Sequence, residues 1–187
     1  MPNMRSAAFL GLYRGHYGAI LTDPPWSFKS YSGPTLPHRT EEAPYQVMSL
    51  ADLKALPVAE LAARDCGLFL WTFGAHFEQA MEVGRAWGFT FKTKVFEWVK
   101  TTKDGQPKMG MGHWSRQESE SVLLFTRGSP KRIERNVRST IWEPATKHSR
   151  KPEECATRIE RLMAGPYCEL FATRYRPGWD GWGDDYL

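Results

Sequence analysis

Cysteine is scarce in this sequence and is not arranged in pairs. The 187 residues include only Cys66, Cys155 and Cys168, and no C-x-x-C spacing occurs. An odd number of widely separated cysteines argues against a disulfide framework and against a zinc ribbon, so we expect reduced, mostly buried thiols. The five histidines are scattered as well, without an H-E-x-x-H or similar ligand spacing. The sequence therefore predicts no metal site.

Long hydrophobic runs are also lacking. No window approaches the roughly 20 apolar residues of a membrane span, and the N-terminus has no apolar core of signal-peptide length. We therefore expect an intracellular, cytoplasmic protein with no membrane partner. A G-x-G-x-x-G fingerprint is missing too, so no local motif announces a nucleotide cofactor.

What the sequence does contain is typical of a globular domain rich in aromatic residues. Hydrophobic residues make up 41%, charged residues 25%, and eight residues are tryptophan. A chain of this length buries roughly 70% of its unfolded surface as one domain and has no room for two good cores. We therefore expect a single domain over residues 1–187. The net charge of +4 and the pI near 9.0 suit a polyanionic partner.

Apolar segments alternate with amphipathic ones along the chain. The patterns predict strands at 18–23, 67–73, 92–100, 121–128 and 167–173, and helices at 49–63 (two short helices divided at Pro57), 76–88 and 151–165. Ser49 is the expected cap of the first helix, and Gly88 and Gly165 are the expected stops of the other two. This alternation indicates an α/β fold, a mostly parallel sheet with right-handed crossovers and helices on both faces. Ligands of such sheets lie beyond the carboxyl ends of the strands. Two long connections, 27–45 and 101–114, would flank that edge.

Four residues, D-P-P-W, end the first strand. Pro24 and Pro25 lack an N–H, and each holds the preceding residue extended, so the strand must stop near Asp23. The result is a stiff tip that presents a carboxylate, free carbonyls and the Trp26 indole. A proline-rich turn with an exposed aspartate and a core tryptophan is the structural alternative.

A series of segments with this tetrad resembles one enzyme family in content and order. They are D-P-P-W (23–26), P-Y-Q-V-M-S-L-A-D-L (44–53), G-L-F-L-W (67–71), G-H-W-S-R-Q-E-S-E (112–120), V-R-S (137–139), R-K-P-E-E (150–154), and E-L-F-A with R-P-G-W-D-G-W-G-D-D (169–185). The chain resembles adenine-N6 methyltransferases of the family that includes the catalytic subunit of the mRNA adenosine-N6 methyltransferase complex and short bacterial and phage DNA enzymes. The resemblance implies a Rossmann-like methyltransferase fold, with the acceptor motif before the cofactor motif, and S-adenosylmethionine as cofactor.

The resemblance assigns the methyl-acceptor site to the tetrad. An exocyclic adenine amine is a poor nucleophile because its lone pair is delocalised into the ring. Asp23 and the carbonyl of Pro24 would each accept one amine N–H, which favours a pyramidal nitrogen, while Trp26 stacks on the base. The other implied acceptor-site residues are Tyr45, Trp71, His113, Arg116 and Glu120. A helix-entry contact is the alternative for Tyr45, a core position for Trp71, and an exposed strand start for Glu120.

Cofactor contacts are implied for Asp23 and for the second half of the chain. Lys151, at the start of a helix, matches the family lysine that meets the methionine carboxylate, and a solvated lysine is the alternative. The remaining implied contacts are Glu169, Phe171, Thr173, Asp184 and Asp185. The family usually has arginine at the position of Thr173, where only the neighbouring Arg174 and Arg176 could compensate.

The leading hypothesis is an adenine-N6 methyltransferase that acts on DNA, because a compact domain without RNA-binding modules resembles the bacterial and phage enzymes most. An RNA substrate, a non-catalytic nucleic-acid-binding subunit, and methylation of cytosine N4 or a protein glutamine are the alternatives; Asp23 and Trp26 favour adenine over the last. A homodimer or a heterodimer with a related subunit would fit the family. Phosphate contacts would come from residues 127–138 and from Lys92, Lys94, Lys100, Lys103 and Lys108.

Overall fold

The computed structural model describes residues 9–26, 47–110, 112, 114–145 and 150–183. The connection 27–45 lies outside the described residues. So do four of the expected site residues, Tyr45, His113, Asp184 and Asp185, whose roles stay predictions.

The described residues form seven strands and three α-helices. They are β1 (Tyr17–Thr22), α1 (Leu50–Ala55), β2 (Ala62–Thr72), α2 (Phe77–Ala86), β3 (Thr90–Thr101), β4 (Ser119–Arg127), β5 (Thr140–Pro144), α3 (Glu153–Leu162), β6 (Tyr167–Leu170) and β7 (Trp179–Trp182). The expected second helix within 49–63 is only a 3₁₀ turn, Val58–Glu60, and β2 begins directly after it. Strands β5 and β7 were not predicted.

The strands form one sheet in the order β5-β3-β4-β2-β1-β6-β7. Strand β1 runs parallel to β2 and β6, β6 parallel to β7, and β3 parallel to β5. Strand β4 runs antiparallel to both of its neighbours, β2 and β3. The fold is therefore mixed α/β: four of the six strand pairings are parallel, and β4 departs from the expected parallel course, because an antiparallel strand needs no crossover helix.

Helices cover both faces of the sheet. Successive residues of a strand point to opposite faces, so Ile20 packs with Leu53 of α1 and Val83 of α2, while Leu21 packs with Ile159 of α3. The two apolar clusters lie on the two sides of one sheet.

The predicted helix boundaries are largely those observed. Ser49 Oγ accepts a hydrogen bond from the Asp52 N–H at 3.1 Å and donates one to the Asp52 carboxylate at 2.7 Å, which confirms the predicted cap of α1. Gly88, just after α2, has a φ of +83° and acts as the predicted stop. In contrast, α3 ends at Leu162, so Gly165 is not its terminator.

The three cysteines are buried and free, as predicted. Among the described residues, no group of histidine, cysteine and acidic side chains is arranged to hold a metal ion. Nor does that part of the chain contain a helix long and apolar enough to span a membrane.

Candidate active site

The tetrad lies at the tip of β1, which ends one residue before Asp23 as predicted. The expectation of free carbonyls is wrong, because Pro24 O accepts the N–H of Trp26 at 2.8 Å and Pro25 O accepts the N–H of Met48 at 3.1 Å. These bonds fix the direction of both carbonyls. A carbonyl oxygen has two lone pairs, so Pro24 O can still accept a second hydrogen bond.

A cluster of four charged side chains surrounds this tip. Lys151 Nζ lies 2.7 Å from Asp23 Oδ2 and 3.1 Å from Glu120 Oε2, and the other Glu120 oxygen pairs with Lys100. The ammonium of Lys151 also lies 5.6 Å from the centre of the Trp71 ring. We call Asp23, Glu120, Lys100 and Lys151 the acid–lysine cluster; its charges balance.

The direction of β4 brings this cluster together. Asp23 follows the carboxyl end of β1, whereas Glu120 is the second residue of β4. Because β4 is antiparallel, its amino end lies at the edge where the other strands have their carboxyl ends. In a parallel β4, Glu120 would lie roughly 25 Å away at the opposite edge, since a strand rises about 3.3 Å per residue.

The electrostatics of the cluster distinguish its members. Burial raises the pKa of Asp23 above its ordinary value, and the opposing charge of Lys151 does not cancel this effect. Burial also opposes the ionisation of Glu120, but Lys151 and Lys100 outweigh it and hold the pKa of Glu120 below its ordinary value. Burial would lower the pKa of Lys151, yet Asp23 and Glu120 raise it. The cluster therefore favours protonation of Asp23 and ionisation of Glu120, each relative to an ordinary carboxyl group.

The two tryptophans predicted to contact the base are both buried. Trp26 is 5% exposed and stacks on His76, with 5.7 Å between ring centres and an interplanar angle of 10°. Trp71 is 1% exposed and contacts the Trp98 ring edge-on at 6.2 Å. Both tryptophans therefore occupy core positions, which were the structural alternatives given for them from the sequence. A stacking role for Trp26 stays a prediction and requires its indole to leave the core.

The connection between β3 and β4 carries Arg116. The N–H of Lys108 donates to Lys100 O at 2.7 Å, and the N–H of Gly110 donates to Gln117 O at 2.9 Å. These bonds pair the connection with the end of β3 and with the residues just before β4, so its described part is a hydrogen-bonded extension of the sheet. Arg116 is exposed on this extension.

Two arginines connect the start of α3 to the end of β6. Arg174 pairs with Glu153 at 2.6 Å and donates to the backbone carbonyl of Lys151 at 3.0 Å. Arg176 also pairs with Glu153, and it lies 3.3 Å from Glu169. The arginines beside Thr173 therefore hold the backbone that carries Lys151, while Thr173 itself is exposed.

The end of β6 differs from an ordinary strand end in two ways. Burial raises the pKa of Glu169 to about 7 despite the opposing charge of Arg174, and the Asp23 carboxylate adds to the increase. Phe171 has a φ of +59° and contacts the Trp182 ring at 5.3 Å. A positive φ is strained for an aromatic residue, and such strain concentrates at functional sites.

The residues at this edge fit the cofactor that the resemblance implies. Within the described part of the chain, the hydroxyls of Thr22 and Thr72 and the indole N–H of Trp71 are buried without a hydrogen-bond partner. Such groups are costly unless a water or a ligand satisfies them. Lys151 uses two of its three N–H groups on Asp23 and Glu120, so a third can meet a carboxylate.

Two members of the site were missed from the sequence. Lys100 was considered only as a phosphate contact, although it lies two residues after Trp98, on the same face of β3 and nearer the strand end. Strand alternation could have indicated it. His76, the stacking partner of Trp26, has no local sequence signal because the contact depends on how α2 packs.

A mixed α/β sheet with polar side chains gathered beyond the carboxyl ends of its strands is characteristic of ligand-binding enzymes. Comparison with known proteins specifies the family. The MT-A70 family model matches residues 17–185, and the chain belongs to the MT-A70 family. The predicted resemblance is therefore confirmed, and with it the enzyme class.

Three relatives indicate the range of the family. The chain is 31% identical to the type II methyltransferase M.MunI of a Mycoplasma species, over 97% of this chain and 82% of that protein. It is 29% identical to a putative N(6)-adenosine-methyltransferase MT-A70-like protein of Medicago truncatula, over 91% of this chain and 26% of the relative. It is 26% identical to the N(6)-adenine-specific methyltransferase METTL4 of Homo sapiens, over 94% of this chain and 38% of that protein.

Proposed function

We propose that the chain is an S-adenosylmethionine-dependent methyltransferase that methylates N6 of adenine in DNA. The observation that carries the proposal is the carboxylate of Asp23, fixed at the tip of β1 by Lys151 at 2.7 Å and followed by a proline carbonyl of set direction. The similarity to M.MunI over 82% of its length favours the short enzymes over the longer plant and human relatives. The proposed fold is Rossmann-like, with Asp23 preceding Lys151 and Glu169 in the chain.

The two acceptors at the tip activate the amine. Asp23 and Pro24 O each accept one N–H of the adenine amine, so the nitrogen lone pair is less committed to the ring. As the nitrogen gains a methyl group it must lose one proton, which passes to Asp23 or to solvent. The raised pKa of Asp23 suits it to take up this proton.

Lys151 and Glu120 position Asp23. The ammonium holds the Asp23 carboxylate in place, and Glu120 holds the ammonium from its other side. S-adenosylmethionine supplies an electrophilic methyl group when it is bound. Lys151 would contact its carboxylate. The other proposed cofactor contacts are Asp23, Glu169, Phe171, Thr173, Asp184 and Asp185. The proposed acceptor contacts are Trp26, Tyr45, Trp71, His113, Arg116 and Glu120.

Methyl transfer from radiolabelled S-adenosylmethionine to DNA and RNA oligonucleotides, followed by nucleoside analysis, tests the proposal. We expect N6-methyladenine in DNA, and a kcat about 100- to 1000-fold lower for Asp23→Asn, since the exchange removes a charged acceptor but keeps the shape. Glu60→Gln, at the opposite edge of the sheet, is the matched control. Equal labelling by wild type and Asp23→Asn would contradict the mechanism, and labelling of RNA alone would change the substrate class.

Calorimetric titration with S-adenosylmethionine is the second readout of the same experiment. We expect weaker binding by Lys151→Met, because the ammonium that would contact the cofactor carboxylate is lost. Binding by Glu60→Gln should be unchanged. Unchanged affinity in Lys151→Met would remove the assigned cofactor contact. Nucleic acid is the partner in this proposal, while a homodimer, a heterodimer with a related subunit and a cytoplasmic location stay predictions.

A further inference from the structure

Strand β5, at one end of the sheet, exposes a large aromatic side chain. Trp142 is 59% exposed, whereas its neighbour Ile141 is buried in the core. An open cavity of about 660 Å³ lies beside it. We call this cavity the β5 groove; it is lined by Val137, Arg138, Ser139, Thr140 and Trp142.

The wall of the β5 groove is fixed by α3. Arg158 donates from Nη1 to the backbone carbonyls of Arg138 at 2.7 Å and Thr140 at 2.8 Å. The guanidinium of Arg158 is itself held by Glu154 at 2.8 Å. These bonds hold the groove backbone in place, so its shape does not depend on the side chain of Arg138.

The segment 127–138, which leads into the β5 groove, is predominantly basic, and Arg138 is the cation that lines the groove. The only acid in residues 127–138, Glu134, is paired with Arg161 at 2.6 Å. Among the described residues, the exposed cations of this segment form no salt bridge; they are Arg127, which donates to the backbone carbonyl of Ala59, and Lys131, Arg132, Arg135 and Arg138. Exposed tryptophan beside unpaired arginine is the combination that binds unstacked bases and phosphates, since the ring stacks on a base while the cation meets the backbone.

The β5 groove lies within reach of the acid–lysine cluster. Trp142 pairs in register with Val99 of β3, one residue from Trp98, which pairs with Glu120 of β4. Neighbouring strands are about 4.8 Å apart, so the backbone of Trp142 is about 10 Å from that of Glu120 and about 20 Å from β1, with the Trp142 ring on the opposite face of the sheet from Glu120. That span corresponds to a few nucleotides of a strand. A nucleic-acid strand that contacts both would pass around β5, which is the edge strand.

We propose that the β5 groove binds single-stranded DNA a few nucleotides from the target base, with one base stacked on Trp142 and a phosphate bound by Arg138. The inference rests on the proposed function and extends it, because it assigns a second contact along the substrate strand. Stacking and phosphate contacts accept every base, so this site positions the strand without reading its sequence.

Fluorescence anisotropy with a labelled single-stranded DNA of mixed sequence, about 20 nucleotides long, tests the site. We expect Trp142→Ala to weaken binding about tenfold, Trp142→Phe to retain most of the affinity, and Trp142→Leu to behave like alanine, because only an aromatic ring stacks. Arg138→Ala should lower the slope of log affinity against log salt by about one. Tyr13→Ala and Arg85→Ala, an exposed aromatic and an exposed cation elsewhere on the surface, are the matched controls and should bind as wild type.

Three outcomes would overturn the inference. They are wild-type affinity in Trp142→Ala, tighter binding of duplex than of single-stranded DNA, and a dimer in light scattering that Trp142→Ala dissolves. The anisotropy measurement requires no methyl transfer, so comparing wild type with Trp142→Ala separates this site from the proposed reaction. If wild type transfers no methyl group but its binding depends on Trp142, the proposed function fails and the β5 groove stands.

Discussion

Lys151 makes two ion pairs although only 16% of its side chain is exposed. A buried ion pair gains little net energy over apolar contacts, but removing one partner leaves the other charges unpaired, at a cost of about 3–5 kcal/mol. Lys151 is therefore the residue on which the arrangement of Asp23 and Glu120 depends. The proposed role of holding Asp23 follows directly from this geometry.

Glu169 makes stability depend on pH in the neutral range. Its pKa is about 7 in the folded protein and about 4.5 in an ordinary environment, so the folded state binds the proton more tightly. The contribution of Glu169 to the free energy of unfolding is therefore fully present below about pH 4.5. It is lost as the pH rises through about 7, and the total change is on the order of 3 kcal/mol. Urea unfolding of wild type and Glu169→Gln between pH 5 and pH 8 measures it. In Glu169→Gln, the free energy of unfolding should depend less on pH over this range, whereas Glu60→Gln should show the wild-type dependence. The same pH dependence in Glu169→Gln as in wild type would contradict the raised pKa of Glu169.

Helix α2 packs closely against the sheet at a glycine, Gly84. A Cβ atom added to Gly84 would lie 2.5–2.8 Å from atoms of the Phe125 ring on β4. This distance is far below van der Waals contact, so the helix needs a residue without a side chain at this position. The contact sets how α2, and with it His76 and Trp26, sits on the sheet.

Replacing Gly84 by alanine has two opposing effects on stability, one from helix propensity and one from packing. Alanine favours a helix by about 1 kcal/mol over glycine, but overpacking a core costs about 1–3 kcal/mol. Because Phe125 is fully buried and cannot move aside freely, we expect a net loss of stability in urea unfolding. Arg85→Ala, on the exposed side of the same helix, should change stability by less than about 0.5 kcal/mol. A Gly84→Ala variant more stable than wild type would show that the helix can shift.

At the scale of the whole molecule, the candidate active site depends on the antiparallel direction of β4. Asp23, Glu120 and Lys151 come from three distant parts of the chain, and the antiparallel course of β4 brings Glu120 to the edge where the other two lie. In register, Glu120, Trp98 and Ile141 share the face of the sheet that α3 covers, whereas Trp142, the next residue of β5, points to the other face. The candidate site and the β5 groove therefore lie on opposite faces of the same end of the sheet.

A double-mutant cycle measures this long-range arrangement. Glu120→Gln and Lys151→Met should be coupled by about 1–3 kcal/mol in urea unfolding, because both side chains are largely buried and in contact. The matched pair Lys54→Met and Glu82→Gln, also joined at about the same distance but more exposed, should couple by less than about 1 kcal/mol. Additive effects of the first pair would mean that the two side chains are not in contact in solution.

The sequence indicated the family and most of the elements but less of the site geometry. The stop of β1, the Ser49 cap and the buried cysteines were predicted because each depends on local geometry or composition. The carbonyl bonds of the tetrad were missed because Pro25 O pairs with Met48, far along the chain. The short strands β5 and β7 were missed since neither has a clear alternation of apolar and polar residues.

By itself, the sequence determined where β1 ends, because proline rings remove the N–H groups that a sheet needs, and it determined family membership through the order of its motifs. Only the tertiary structure decided the direction of β4, since an apolar segment has the same pattern in either direction. That direction placed Glu120 beside Lys151. The tertiary structure also decided that Trp26 packs on His76, because a tryptophan suits a core and a base platform equally, and only the surrounding packing distinguishes them.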